Sequence, residues 1–550
     1  MVTSRVSNTG RQLLASLRQD LSSLAATVSQ KSDITPGLYT YKIPLSGGKR
    51  RFHLRIEQDG QGILFVDVTD VVHLNRTAAQ ITKNALDGLP KRVTMAQLAA
   101  RYNNLGVSDI LDEVNTIYEM IDQFGDPRVD CPTCAVASLD RAPLFSLRAN
   151  APYKADLALT YGCNNQCAHC YNEPDRFSMA SLSRSEWYTV LDQLHEVAIP
   201  HIIFTGGEAT LHPDLLELIN YADSLGMVTG LNSNGRRMAR LIYARELVDS
   251  GLNHVQVTLG SHQSGLHDAI MGASSFHQTV AGIKNAISVG LHCITNTTLM
   301  RCNMDQVEAL INFIYELGVR TFAMNGMIYS GGGFSDPNTI PESALPPLLL
   351  RVRDHAATKN MRFLWYTPTE YCRMSPVELE IGAKRCNAGE YSICIEPNGD
   401  VLPCQSFYTA AGNILSDNWS DIWQGDLFLS FREREVDPRL AGLPEKCWEC
   451  PDLPLCGGGC RIEREAREGK RAALSLDNHL ACGGGCGTGR TSLKVDGKLG
   501  YSPPPGAINP QLRSTGQGTR LIPLPDLTNS HNGHTNAKNM VGSGDGQEIG

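Results

Sequence analysis

The 550-residue chain lacks any uninterrupted apolar run long enough to cross a bilayer, and its N-terminus lacks the charged, apolar and small-residue succession of a secretory signal. Those two absences predict a soluble, cytoplasmic protein with no membrane partner. An excess of positive charge is missing as well. Lys and Arg number 49 against 57 Asp and Glu, a formal net charge of -8, so no broad attraction to nucleic acid or anionic membranes is expected. Small-molecule or peptide chemistry is favoured instead. A disulfide framework is also excluded as a simple account: the 17 cysteines are odd in number and grouped at short spacings, which suits metal or cluster ligation in a reducing compartment.

What is present divides the chain. Residues 1–33 are polar with weak helical periodicity and read as a flexible lead-in. From Arg51 the sequence alternates, placing Phe52, Leu54 and Ile56 on one face, then turns through residues 58–62 into a second apolar run, which predicts a hairpin. Helical patterns follow from Asn75, Thr94 and Ser108, each a good N-cap residue, with Ile110, Val114, Ile117, Ile121 and Phe124 in one stripe. Residues 34–125 are therefore expected to form a winged-helix-like domain, and 126–155 a linker that carries the pair Cys131 and Cys134. Over 156–370 strands and helices alternate, with strands starting near Asp156, His201, Met227, His254, His292, Arg320 and Met361. This is an α/β pattern, a partial parallel barrel of (β/α)6 type whose site belongs at the C-terminal ends of the strands. Residues 371–495 are rich in cysteine and glycine, as expected where clusters replace an apolar core, and 496–550 read as a disordered tail.

Cys163, Cys167 and Cys170 fall just after the first of these strands, with no fourth cysteine nearby. A four-iron cluster normally takes four thiolates, so three leave one iron open to a ligand. The spacing C-x3-C-x2-C resembles the signature of the radical S-adenosylmethionine (SAM) superfamily, and the resemblance implies that SAM occupies the open iron. Gly206, Gly207 and Glu208 after the second strand resemble that family's glycine-glycine-glutamate motif. The resemblance implies that the glycines admit the methionine part of the cofactor while the carboxylate accepts from its ammonium. Asn232, Ser233 and Asn234 after the third strand, and Thr258 ending the fourth, stand where the family contacts ribose or the methionine carboxylate. A zinc site with His169 as fourth ligand is the bland alternative; His169 and Cys170, being neighbours, point poorly at one ion.

Farther on, Cys386-x12-Gly399-x4-Cys404 is followed by Cys447-x2-Cys450-x5-Cys456-x3-Cys460, with Cys482 and Cys486 beyond. This resembles a SPASM domain, which carries two auxiliary four-iron clusters in peptide-modifying radical enzymes. The resemblance implies Cys386, Cys404 and Cys460 for the first cluster and Cys447, Cys450, Cys456 and Cys482 for the second. Cys394 or Cys372 would complete the first set, and Cys486 competes with Cys482 for the second. Structural zinc knuckles are the alternative that Cys-x2-Cys also permits.

The strands-then-helices order of residues 34–125, with the run from Val71 to Ile81, is similar to PqqD-like elements that hold leader peptides by strand addition. DNA binding through Lys49, Arg50, Arg51 and Arg55 is the competing reading. Taken together, the resemblance implies a radical SAM maturase of a ribosomally made precursor peptide, with an electron donor such as flavodoxin or ferredoxin as second partner. Its outcome, crosslink, epimerisation or excision, is left open by the residues. Sulfatase-maturing and haem-pathway radical enzymes, or a non-enzymatic iron-sulfur or zinc scaffold, are the alternatives.

Overall fold

The structure, a computed structural model, describes residues 34–470 other than 46–47, 68–69, 102–106, 126–143, 146–147 and 335. The expected lead-in, the pair Cys131 and Cys134, Cys482, Cys486 and the expected tail lie outside the described residues.

Strands β1 (Gly37–Leu45), β2 (Gly48–Ile56), β3 (Gly62–Val66) and β4 (Asp70–Leu74) form an antiparallel sheet in sequence order, followed by α1 (Arg76–Leu86), α2 (Lys91–Arg101) and α3 (Val107–Gly125). Period-two alternation decides its two faces. Phe52, Leu54 and Ile56 are buried with Ile110, Val114, Ile117 and Phe124 under the helices. Arg51, His53 and Arg55 turn the other way. Asn75 caps α1, its side chain accepting from Ala78 N at 2.8 Å. Thr94 and Ser108 are not caps: both lie inside helices, and the buried Thr94 hydroxyl meets Tyr118 Oη at 2.8 Å instead. β1 and β4 were not foreseen from the sequence; together they extend the expected hairpin to four strands.

Strands β5 (Lys154–Thr160), β6 (His201–Gly206), β7 (Val228–Ser233), β8 (His254–Thr258), β9 (His292–Thr298), β10 (Thr321–Asn325) and β11 (Arg362–Trp365) run parallel, each beside the next. Between them lie α4 (Arg184–Glu196), α5 (Leu215–Ser224), α6 (Leu241–Asp249), α7 (Ser264–Met271), α8 (Phe276–Ser288), α9 (Val307–Glu316) and α10 (Pro346–Thr358). Alternate strand residues such as Leu157, Phe204, Leu231, Val255 and Phe322 pack with Trp187, Leu218, Leu247, Ile283 and Ile311 of these helices in one large core. The seven parallel strands are the seven whose starts the sequence marks, one more than a (β/α)6 barrel holds, and the C-terminal segment adds more: β12 (Ser392–Ile395) pairs parallel with β5, and β13 (Val401–Leu402) antiparallel with β12. The sheet thus continues across the expected boundary at 370/371. β5 likewise begins at Lys154, inside the stretch read as linker. Short helices α11 (Trp419–Gln424), α12 (Asp426–Arg432), α13 (Leu453–Cys456) and α14 (Arg461–Arg467) complete the described chain.

The N-terminal sheet docks by its basic face. Arg51 reaches Asp223 at 2.8 Å and Met227 O at 3.0 Å, His53 Nε2 meets Gly226 O at 2.8 Å, and Arg55 donates to Ala151 O and Pro152 O. Arg50 pairs with Asp67 at 3.1 Å. Three of the four basic residues that suggested a nucleic-acid face are therefore spent inside the molecule. No helix among the described residues is long and apolar enough to cross a membrane.

Candidate functional site

The loop leaving β5 carries Cys163, Cys167 and Cys170, and both of its sides are fastened. Gln166 N donates to Met271 O at 3.0 Å and Ala168 N to Ile270 O at 2.9 Å, fixing the loop on the end of α7. Gly272, at φ 60, makes that contact possible, since a Cβ there would lie 2.1 Å from Gln166 O. On the other side the Arg236 guanidinium donates to Asn164 O and to Asn165 Oδ1, and Asn234 Nδ2 donates to Asn164 Oδ1 at 2.7 Å.

Cys167 Sγ lies 3.6 Å from Met271 Sδ, within an apolar patch of Ile270, Met271, Met300 and Met327. Burial pushes Cys163 up to about 11 and Cys167 well above the usual thiol value, and the charge of neighbouring Cys170 adds to both. Three thiolates held together this way oppose one another until a cationic group binds them, which is the chemistry of an iron site. Among the described residues no three His, Cys, Asp or Glu side chains are gathered closely enough to hold a single ion. A four-iron cluster asks for less, because each thiolate takes a different iron. Buried polar atoms with no partner among the described residues surround the strand ends: Asn165 Nδ2, His169 Nδ1, Asn296 Oδ1 and Asn325 Oδ1. They are the groups a polar cofactor would satisfy.

Gly206 and Gly207 bring the end of β6 against this loop. Gly207 N donates to Thr160 O at 2.7 Å and Glu208 N to Gly162 O at 2.9 Å; a Cβ would stand 2.2 Å from Thr160 O at Gly206 and 2.4 Å from Tyr161 O at Gly207. The glycines' first effect is thus backbone contact between the two strand ends. Buried Glu208 accepts from Thr210 Oγ1 at 2.6 Å, Thr210 N at 3.2 Å, Ser233 Oγ at 2.8 Å and Asn234 N at 2.7 Å. Glu208, Ser233, Asn234 and the cysteine loop form one bonded unit. Asn232 and Thr258 sit at the neighbouring strand ends without a side-chain hydrogen bond among the described residues.

The C-terminal thiols fall in two groups. Cys386, Cys404 and Cys460 share an apolar cluster with Phe407, Phe431 and Ile462. Burial pushes Cys404 up to about 12, with the charge of Cys386 adding, and Cys460 is raised by burial and by both of the others. Cys447 and Cys450 lie beside Leu443 and Leu453, near Cys456 on α13. Cys394 is buried against Ala158, Tyr161 and Leu402, with Cys404 in electrostatic reach. Sequence reasoning missed the tie between the radical and auxiliary regions: Tyr171 Oη, next to Cys170, donates to Gln405 Oε1, next to Cys404, at 2.8 Å. The residues are 234 apart, and adjacency to cysteine is the one local signal that marks them.

Residues 157–314 match the Radical SAM superfamily, and residues 386–451 match SPASM, an iron-sulfur cluster-binding domain. Mycofactocin maturase MftC of Mycobacterium tuberculosis is 26% identical over 328 residues, covering 58% of this chain and 80% of its own length. PqqA peptide cyclase of Bradyrhizobium diazoefficiens is 27% identical over 335 residues, covering 58% and 84%. In fold the chain is similar to Streptococcus suis SuiB bound to its precursor peptide SuiA, with TM-score 0.54 and 18% identity over 78% of this chain and 97% of that one. The chain thus carries a Radical SAM domain and an iron-sulfur SPASM domain, the equipment of an enzyme whose cofactors are a four-iron cluster, SAM and auxiliary iron-sulfur clusters.

Proposed function

We propose that the enzyme modifies a ribosomally made precursor peptide whose leader is held by residues 34–125. The observation that carries this reading is the bonded unit of cysteine loop, Glu208 and Asn234 at the ends of β5, β6 and β7, tied through Tyr171 and Gln405 to a second thiol site. The relatives' names, peptide maturases and a peptide cyclase, supply the substrate class.

In this reading Cys163, Cys167 and Cys170 would hold the radical cluster, and the cofactors, when bound, would supply the radical chemistry needed to activate an unreactive carbon-hydrogen bond. The chain's own residues bind and orient. Glu208 Oε2, which accepts one bond among the described residues, keeps acceptor capacity for an ammonium donor; Asn232, Ser233, Asn234 and Thr258 line the neighbouring strand ends for ribose and carboxylate. The apolar patch at Met271 keeps water from Cys167. Cys386, Cys404 and Cys460, with Cys394 within reach, serve the first auxiliary cluster. The main sheet is read as a partial barrel of (β/α)6 type and the N-terminal unit as a winged-helix-like, PqqD-like recognition element.

Leader capture is assigned to the outer edges of β1 and β4, each of which pairs with a single strand among the described residues. The spent basic face of that sheet favours a peptide over DNA. A flavodoxin or ferredoxin in the cytoplasm would provide the electron. The test is anaerobic reconstitution of the Cys163→Ala, Cys167→Ala, Cys170→Ala triple variant. Deoxyadenosine release, with or without a candidate precursor, should vanish while C-terminal iron is retained; release at the parent rate would defeat the reading.

A further inference from the structure

The geometry points to Cys372 as a ligand of the second auxiliary cluster, together with Cys447, Cys450 and Cys456. The sequence pattern offers Cys482 or Cys486 for that place and Cys372 only for the first cluster, so this assignment moves Cys372 from one site to the other. It rests on the SPASM reading of the C-terminal segment.

The turn that carries Cys372 lies on Cys456 and beside Lys446, the residue before Cys447. Tyr371 N donates to Cys456 Sγ at 3.3 Å, and Cys456 Sγ in turn approaches Thr369 O at 3.7 Å. From the other side Lys446, the residue before Cys447, reaches Cys372 Sγ at 3.6 Å and Glu370 at 3.5 Å. Arg467 of α14 holds Glu370 at 2.9 Å. The approach is backbone-close: a Cβ on Gly459 would stand 2.9 Å from Glu370 N. Residues 369–372 are thus clamped on the cysteine segment from three directions.

Electrostatics supports the same grouping. The Cys447 and Cys456 thiols are raised first by burial, and the charge of Cys372 contributes to each. In the first group the contributing thiol is Cys386 for Cys404, and Cys386 and Cys404 for Cys460; Cys372 contributes to neither. A four-iron cluster held wholly by protein needs four thiolates, of which Cys447, Cys450 and Cys456 supply three from one short segment. Cys372 supplies the fourth, and Lys446 balances part of the negative charge. Ligation there would staple the turn after β11, at the end of the parallel sheet, to the C-terminal domain.

Two measurements on the full chain test this. In the triple-alanine background, which retains only auxiliary iron, Cys372→Ala should lose up to about four irons per chain or turn its oxidised spectrum into that of a three-iron cluster. The Cys482→Ala, Cys486→Ala double variant should keep parental iron, labile sulfide and paramagnetic resonance spectra. The unmutated protein provides the second readout. Cys372 is exposed, so in iron-depleted protein it should alkylate readily, and reconstitution should slow its labelling roughly tenfold or more, with reversal by chelator. Parental iron and spectra in Cys372→Ala, or loss of a cluster in the double variant, overturns the assignment, as does unprotected labelling of Cys372 in reconstituted protein. A triple-alanine background that binds no iron at all would defeat the auxiliary-cluster reading and this assignment with it.

Discussion

The carboxylate of Glu208 offers about four acceptor sites, and the chain already fills them unevenly: Thr210 and Ser233 crowd Oε1, while Asn234 N alone uses Oε2. Replacing Glu208 by alanine therefore does two things. On the proposed reading it removes the ammonium acceptor, which should weaken cofactor binding by about 1.5–3 kcal/mol, and it orphans buried donors on Thr210 and Ser233, which should lower stability by about 1–3 kcal/mol. Ser233→Ala, which deletes one of the four bonds, should cost about 1 kcal/mol in stability. Cofactor titration and denaturant melts of reconstituted protein check both, and parental affinity in Glu208→Ala would remove it from the site. At this scale the thiols and the glycine-glycine-glutamate run were legible because their chemistry is local spacing. The clasp of Arg236 and Asn234 on Asn164 was not, since its members are about 70 residues apart and each alone reads as an ordinary turn residue.

Strand β7 shows what a single glycine does for an element. Gly230 sits between β6 and β8, and His201 and His254 meet Nε2 to Nε2 at 2.9 Å; a Cβ on Gly230 would be 2.3 Å from His254 Cε1. Gly230→Ala should overpack this point and cost about 1–3 kcal/mol, measured by urea unfolding. The same histidines make stability depend on pH. Burial pulls His254 and His53 down to about 4 and His201 well below the usual range, with His292, Lys154, Arg51 and Lys42 adding like charge around them. A depressed histidine is neutral when folded but protonates near 6.5 when unfolded, so the unfolded state binds more protons between those values. Stability is then full above pH 6.5 and is lost as pH falls towards 4, by about 2 kcal/mol per such histidine at pH 5. Urea midpoints at pH 7, 6 and 5 should fall in that order, and His254→Gln should flatten the slope; a flat parental profile would contradict the burial argument. Seven strand starts could be read from periodicity, but β12 could not. Its four residues lie in glycine- and cysteine-rich text, and their partner β5 is more than 230 residues away.

For the molecule as a whole, the decisive relation is which end of the sheet the N-terminal domain and the cysteine loop each occupy. The N-terminal domain docks beside Gly226 and Met227, at the start of β7, whereas Cys163, Glu208 and Asn234 stand where β5, β6 and β7 end. No sequence signal carries this, because Arg51, His53 and Arg55 read as a solvated strand face until their partners on another domain are known. On the proposed reading, in which residues 34–125 hold the leader, the arrangement would separate recognition from chemistry by at least one strand length. Six or seven residues at about 3.3 Å each make that roughly 20 Å. A leader bound on the docked domain must send the chain past the sheet before any carbon reaches the cluster, which takes about six residues even fully extended. Precursors whose spacer between leader and modified residue is shortened below about six residues should keep their affinity for the enzyme and lose modification. Lengthening the spacer should be tolerated, with yield at limiting precursor falling slowly as the effective concentration drops. A spacer series followed by mass spectrometry, with leader binding measured separately, tests this. Equal modification at every spacer length, including the shortest, would mean that the leader is held beside the cluster and not on residues 34–125.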